Sequence, residues 1–273
     1  MGESGLRRVT GARCALKPVK EAVVDKALYV SMSGAKQNMY AQQVNANNLA
    51  NVDTNGFKKD FAAARSMPVF GEHHPSRAFA MTESPGTDFS GGPLKQTGRD
   101  LDVTIKGDGY LAVEPEPGDE AFTRQGDLMI DANGILRTGD GMPVLGNGGP
   151  VAIPPADKVE IGADGTISVV PAGGPGDQLA EIDRLKLVNP DTEDLRKSED
   201  GLIRRKPDAA LDGEEPADAR VRLISGFLEG SNVNAIEAMV QNLELQRQYE
   251  MQVKAMQRAD ENSQAAAQLL QDL

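Results

Sequence analysis

Val44–Phe61 reads "VNANNLANVDTNGFKKDF". Five asparagines fall in the twelve residues from Asn45 to Gly56, although asparagine is a middling to poor helix former. Upstream, the spacing predicts a helix from Asp25 to about Val52. Leu28, Met32, Ala35, Met39, Gln42, Ala46 and Leu49 follow one another at steps of four and three, a repeat of roughly 3.5 residues with one polar member. The opposite face (Lys36, Gln37, Asn38, Gln43) is soft polar rather than heavily charged. Gly34 weakens the helix by roughly 1 kcal/mol relative to Ala and can let another backbone approach. After the seam ends at Leu49, Asn55-Gly56 supplies backbone that tolerates positive φ, so a sharp turn at Gly56 is expected before Phe57.

The other end of the chain is helical again, from about Ser231 to Leu270. Ser231 or Asn232 is the expected cap, and Glu237 suits the positive end of the helix dipole. Ile236, Met239, Val240 and Leu243 make an apolar face, and Tyr249, Val253 and Met256 are read as its continuation. Between the helices, short apolar or β-branched runs ("LDVTI", "YLAVE", "VEIG", "TISVV") alternate with "KGDG", "DANG", "GDGM" and "ADG". That is strand-and-turn chemistry at the spacing of an antiparallel β domain. Residues 57–98 fit neither texture and read as an extended connector. The expected fold class is α+β. N- and C-terminal α-helices pair in coiled-coil fashion and flank an antiparallel all-β middle domain. The expected boundaries are 1–23, 24–55, 56–98, 99–228 and 229–273.

Composition narrows the partners. The 273 residues carry 29 Lys+Arg against 41 Asp+Glu, a formal net charge of -12, which argues against nucleic acid or an anionic membrane surface. Cys14 is the only cysteine, so no intramolecular disulfide forms. No apolar run of membrane-spanning length occurs, so no membrane insertion is expected. Residues 1–23 hold five basic and two acidic residues but no continuous apolar region, unlike a cleaved secretory signal. Periodicity begins only at Asp25, and the working chain is expected to start at or near Val24.

The usual catalytic constellations fail one by one. His73 and His74 are adjacent and so point apart on a helix or a strand. "DANG" and "GDG" lack the glutamate that would complete a calcium loop. The glycine-rich "GDGYL" and "GNGGP" open no helix and carry no phosphate-loop lysine. With one Cys and two His in such places, nucleophilic schemes have no credible members. No metal, cofactor or enzymatic activity is expected, and the two helices point to interaction instead.

Three stretches carry a resemblance. "SGAKQNMYAQQVNANNLANVDTNGFKKDF", "GDGYLAVEPEPGDEAFTRQGDLMIDANGILRTGDGMPVLG" and "LEGSNVNAIEAMVQNLELQRQYEMQVKAM" are similar, in that order, to the N-terminal, central and C-terminal motifs of the bacterial flagellar rod and hook proteins. "ALYVSMSGAKQ" and "DFAAARSMPVFG" resemble the proximal-rod members, with the distal-rod members the near alternative. The resemblance implies a subunit of the basal-body rod whose terminal helices pair and line the inner tube of the torque-transmitting shaft, with the β domain outside. It implies copies of itself and other rod subunits as partners, and export through the flagellar type III apparatus without a cleaved signal. The subunit interface is then expected to hold Leu28, Met32, Ala35, Met39, Ala46, Asn47, Asn48, Leu49, Asn51, Gly56 and Phe57 from the first helix and its turn. From the last helix it is expected to hold Ile236, Met239, Val240, Leu243, Tyr249, Val253 and Met256. The asparagines would bond to neighbouring subunits without burying charge. An assembly cap or chaperone-like partner, and a β-rich hydrolase with helical ends, are the competing readings.

Overall fold

The structure is a computed structural model that describes residues 26–62, 64–68, 78–82, 86–172, 179–209 and 213–271. Helix α1 spans Lys26–Ala50 and helix α2 spans Ala235–Gln271. Cys14, His73, His74 and the stretch 1–23 lie outside the described residues.

The start of α2 differs from expectation. Its cap is Asn234, whose Oδ1 accepts from the amides of Ile236 at 3.1 Å and Glu237 at 3.3 Å. Asn232 is engaged elsewhere: its Oδ1 accepts from Lys59 N at 2.7 Å and its Nδ2 donates to Asp88 O at 2.9 Å. Both residues are good caps by type, and tertiary contacts decide between them.

Between the helices the paired strands run antiparallel throughout. A five-stranded sheet has the spatial order Leu187–Val188, Tyr110–Glu116, Asp119–Thr123, Ile203–Arg205, Leu195–Lys197. A three-stranded sheet is formed by Ala156–Ile161, Thr166–Pro171 and Ala180–Arg184. The β-branched runs read from the sequence supply the core: Val103, Leu111, Val113, Leu128, Leu136, Val144, Val151, Ile167 and Val169 are buried in one cluster. That cluster contains no aromatic residue, so aliphatic interdigitation carries its packing, while Tyr110 and Phe122 are buried in a second, smaller cluster.

Residues 57–98 contain paired strands. Asp60–Phe61 pairs with Gly86–Thr87, Ala64–Pro68 pairs with Ala78–Thr82, and Leu94–Gln96 pairs with Phe227–Glu229. These strands run two to five residues, too few for a two-residue alternation to show in the sequence. The last pairing closes the chain topologically, because it sets the segment entering the β domain beside the segment leaving it for α2.

Candidate functional site

Two features connect the terminal helices to everything else: the face on which they pair, and the junction where both meet the β domain. α1 and α2 are antiparallel. Asn45 Nδ2 donates to Ala238 O at 2.6 Å, and three turns earlier on α1 a Cβ built on Gly34 would lie 3.0 Å from Gln252 Nε2. Gly34 therefore makes room for a partner side chain rather than a partner backbone. On α1 the pairing face holds Gly34, Asn38, Ala41, Asn45 and Asn48. On α2 it holds Ala238, Asn242, Leu245, Tyr249, Gln252, Met256 and Ala259, all buried or half-buried. Small and amide residues thus make the α1 side of the contact, and Leu245, Tyr249 and Met256 add apolar bulk from α2.

The apolar repeat read from the sequence is not this face. At 100° per residue, Leu28, Met32, Ala35, Met39, Gln42, Ala46 and Leu49 are centred about 100° round the helix from it. Ala35 is buried and Leu28 and Leu49 half-buried at its edge, whereas Met32, Met39 and Ala46 are exposed. The apolar residues of α2 likewise divide. Tyr249, Val253 and Met256 are half-buried, while Ile236, Met239, Val240 and Leu243 are exposed. The six residues from Leu243 to Tyr249 turn the helix by about 240°, so the two groups lie on two faces and do not continue each other.

The asparagine cluster is taken up largely within the chain. Asn48 closes a two-bond ring with the Asp60 backbone, donating to Asp60 O at 2.8 Å and accepting from Asp60 N at 3.0 Å. Asn51 Nδ2 donates to Asn47 O at 3.0 Å and to Asn47 Oδ1 at 2.9 Å, and its Oδ1 accepts from Thr54 at 3.2 Å. Asn45 and Asn48 are buried, whereas Asn47 is exposed and Asn51 half-buried. An asparagine side chain carries both a donor and an acceptor, so it can cross-brace a helix end to the strand that leaves it. Gly56 makes the turn with φ +69, and a Cβ there would lie 2.4 Å from the Arg124 carbonyl carbon. Glycine is needed at that position for conformation and for space.

Behind this turn lies a buried ion cluster that the sequence did not reveal. Glu229 Oε1 accepts from Lys58 Nζ at 2.6 Å and from Gly92 N at 3.0 Å, and Oε2 accepts from Arg124 Nη1 at 2.9 Å. Lys58 also donates to Ser90 O at 2.7 Å, and Arg124 to Gly107 O at 2.7 Å. Burial alone would raise the Glu229 carboxyl, but the Lys58 hydrogen bond, the Arg124 charge and the Gly92 amide hold it below its usual value. Burial pushes the Lys58 ammonium down against the pull of Glu229. Nearby, Lys197 Nζ sits 3.7 Å from the Phe57 ring centroid and donates to Lys58 O at 2.7 Å and Asp60 Oδ2 at 2.9 Å. Gly56 N donates to Glu229 O at 2.8 Å. Every chain segment that converges here is therefore held by at least one charge-assisted or backbone bond.

A cleft of about 350 Å³ beside the helix pair is lined by amides such as Gln37, Asn48 and Gln241, by the charged Lys59, Asp60 and Glu237, and by apolar residues including Phe61 and Leu245. Among the described residues, no group of three His, Cys, Asp or Glu is placed to hold a metal ion, and no helix is long and apolar enough to cross a membrane. Two pairing helices with outward apolar stripes, braced to a β domain, define an assembling structural protein.

Family comparison agrees with that class. Residues 28–58 match the family model described as flagella basal body rod protein, residues 104–169 the flagellar hook protein FlgE/F/G D1 domain, and residues 224–269 the flagellar basal body rod FlgEFG protein C-terminal. The chain is 40% identical over 249 residues to the flagellar basal-body rod protein FlgF of Escherichia coli, covering 90% of this chain and 99% of the relative. It is 34% identical over 255 residues to the rod protein FlgG of Bacillus subtilis (86% and 96% covered). It is 31% identical over 258 residues to FlgF of Caulobacter vibrioides (90% and 98% covered). The chain belongs to the flagellar basal-body rod protein family, and within it is FlgF-like.

Proposed function

We propose that the chain is a structural subunit of the proximal rod, joining copies of itself and other rod subunits through its two terminal helices in coiled-coil-like packing, and that it has no catalytic role. The observation that carries the reading is the pair of apolar stripes left outside the helix pair. Met32 and Met39 on α1 are 53% and 56% exposed, and Ile236, Leu243 and Met251 on α2 are 76%, 58% and 61% exposed. Water contact along such stripes costs roughly 25 cal/mol per Å² of apolar surface, which packing against neighbouring helices would remove. The β domain then stands clear of the shaft, braced at the Glu229 cluster, so that torque on the helices reaches the domain without a loose joint. Export through the flagellar type III apparatus, without a cleaved signal, belongs to the same reading.

Basal bodies purified from a wild-type and a deletion strain test it. The chain should be found in the wild-type particles by mass spectrometry, and the deletion strain should hold rods that stop early. Complete rods without the chain would contradict the proposal. A distal-rod role is the second reading, favoured by the similarity to FlgG of Bacillus subtilis. It would show as rods that stop late, with the proximal segment complete.

A further inference from the structure

Apart from the Glu229 cluster, two aspartates face each other where the chain enters the β domain. Asp102 and Asp127 form an antiparallel bridge. Val103 N donates to Gly126 O at 2.9 Å and Leu128 N to Leu101 O at 3.4 Å, so the flanking residues carry the backbone bonds and the two aspartates are the non-hydrogen-bonded pair between them. In such a pair the Cα atoms lie about 4.5 Å apart and the side chains are at their closest. Like charges directly opposite each other are destabilising, and this pair is also drawn out of water. Asp102 is 2% exposed and Asp127 is half-buried. Oδ1 of each is buried and accepts no hydrogen bond from the described residues. Arg99 Nη1 stands 3.4 Å from Asp102 Oδ1, but its own side chain is 59% exposed. On the other side, a Cβ built on Gly139 would overlap Asp127 Oδ2, and Asp140 follows in the same turn. Burial first, and then the charges of Asp140 and Asp102, push the Asp127 carboxyl above its ordinary value, against its own amide and the Asn55 side chain, which favour the charged form.

We propose that Asp102 and Asp127 form a proton switch at the joint between the helices and the β domain. With a proton on Asp127, its carboxyl becomes a donor and one of two opposed charges is gone, so the strand pair and the turn from Thr138 to Gly141 close on it. Without the proton, Asp102 and Asp140 repel the side chain, and Asn55 in the α1 turn is the neighbour that favours its charge. It then swings towards Asn55 and the open cleft of about 330 Å³ that Asn55 helps to line. The position gives the switch its reach. Asp102 O accepts from Gly226 N at 2.7 Å, and Gly226 O accepts from Thr97 N at 2.9 Å. The same strand end therefore ties together the segments that enter and leave the β domain. Loss of the proton loosens that tie, so the stiffness of the joint follows the pH of the surrounding compartment.

Carboxyl NMR and urea unfolding of the full chain test this. With a folded pKa above the unfolded value of about 3.9, the folded chain holds the extra proton in the window between the two. The stabilisation from this group is therefore full below the unfolded value and lost as pH rises through the folded one. The Asp127 carboxyl carbon of the wild type should titrate with a midpoint above about 3.9, and Asp140→Asn should lower that midpoint. Asp127→Asn keeps the neutral form. It should have a higher urea midpoint than the wild type at neutral pH, and the gap should close towards about pH 4. Amide exchange at Val103 and Leu128, corrected for its intrinsic pH dependence, should quicken with rising pH in the wild type and not in Asp127→Asn. A carboxyl midpoint at or below the ordinary value would overturn the switch. So would an Asp127→Asn variant that folds but is no more stable than the wild type at neutral pH. Stabilisation of the wild type by calcium at neutral pH would also overturn it, since a cation rather than a proton would then relieve the pair. If Asp127→Asn does not fold, the wild-type midpoint and its shift in Asp140→Asn still decide.

Discussion

Lys58 Nζ lies 2.6 Å from Glu229 Oε1, and both side chains are 2% exposed. The pair joins a residue two positions past Gly56 to the end of the strand Phe227–Glu229 that leads to α2, across 171 positions of sequence. Arg124 of the β domain bonds the other oxygen of the same carboxylate. A charge so buried is stable only while it is paired.

Removing the carboxylate should therefore be costly. Glu229→Ala leaves Lys58 and Arg124 buried without their anion, and should lower stability by about 3–5 kcal/mol in urea denaturation. The triple variant Lys58→Met, Arg124→Met, Glu229→Met should recover much of that loss. Equal loss in single and triple variants would show that the cluster is not an energetic unit.

The same carboxylate sets a pH dependence. Its folded pKa lies below its ordinary value because Lys58, Arg124 and Gly92 overcome the burial cost. The stabilisation is therefore full above the unfolded pKa, about 4.3, and is lost as pH falls through the lower folded value. Acid titration of the wild type should show this loss below about pH 4, and Glu229→Gln should give a flatter curve over that range. Indistinguishable slopes would remove Glu229 from the account.

Glycine at the α1 turn can be tested against an internal control. Gly107 also has positive φ, at +86, but a Cβ there would meet nothing within 4 Å. Gly107→Ala should cost about 1–2 kcal/mol for backbone strain alone. Gly56→Ala should cost more, because its Cβ would collide with the Arg124 backbone, and Gly56→Val should impair motility at normal protein level. Equal melting shifts for the two alanine variants would mean that the close approach carries no weight.

Order along α2 should fall off towards its end. Among the described residues Ala259 is the last buried one, and residues 260–269 are exposed. Their amides should exchange with solvent far faster than those of the buried strands Val103–Lys106 and Tyr110–Glu116. Amides from Asn234 to Ala259 should be intermediate, since α1 supports them from one side. Uniform slow exchange to Gln271 would require a contact that the subunit does not show.

The helices and the β texture were legible because their periods are long enough to see. The repeat from Leu28 to Leu49 extends over about six turns of α1, and the "DANG" and "ADG" turns each join two strands that pair. Gly56 was legible because only its conformational type was needed. The α1 half of the pairing face was not, since it is built of Gly34, Asn38, Ala41, Asn45 and Asn48, amides and small residues that make no apolar repeat; on α2, Tyr249 and Met256 were legible, but only as part of one stripe with the outward residues. The search found the outer stripe instead. Lys58, Arg124, Lys197 and Glu229 were invisible for another reason: ordinary surface residue types become buried partners only when distant segments converge. Nothing local distinguishes Glu229 from the other acidic residues of the chain.

The central claim is that the outward stripes are what the rod uses, and Leu243→Asp tests it most directly. Leu243 is exposed in the subunit, so the change should leave the unfolding free energy of the purified protein within the small range of ordinary surface substitutions, about 0.5 kcal/mol. In the assembled shaft the same carboxylate would be buried against apolar side chains, which costs several kcal/mol. The measurement is the amount of this chain in purified basal bodies, at equal cellular level, for wild type and Leu243→Asp. The account predicts loss of the variant from the particles with its folding intact. Incorporation at the wild-type level would contradict it, and would mean that the α2 stripe faces water in the rod.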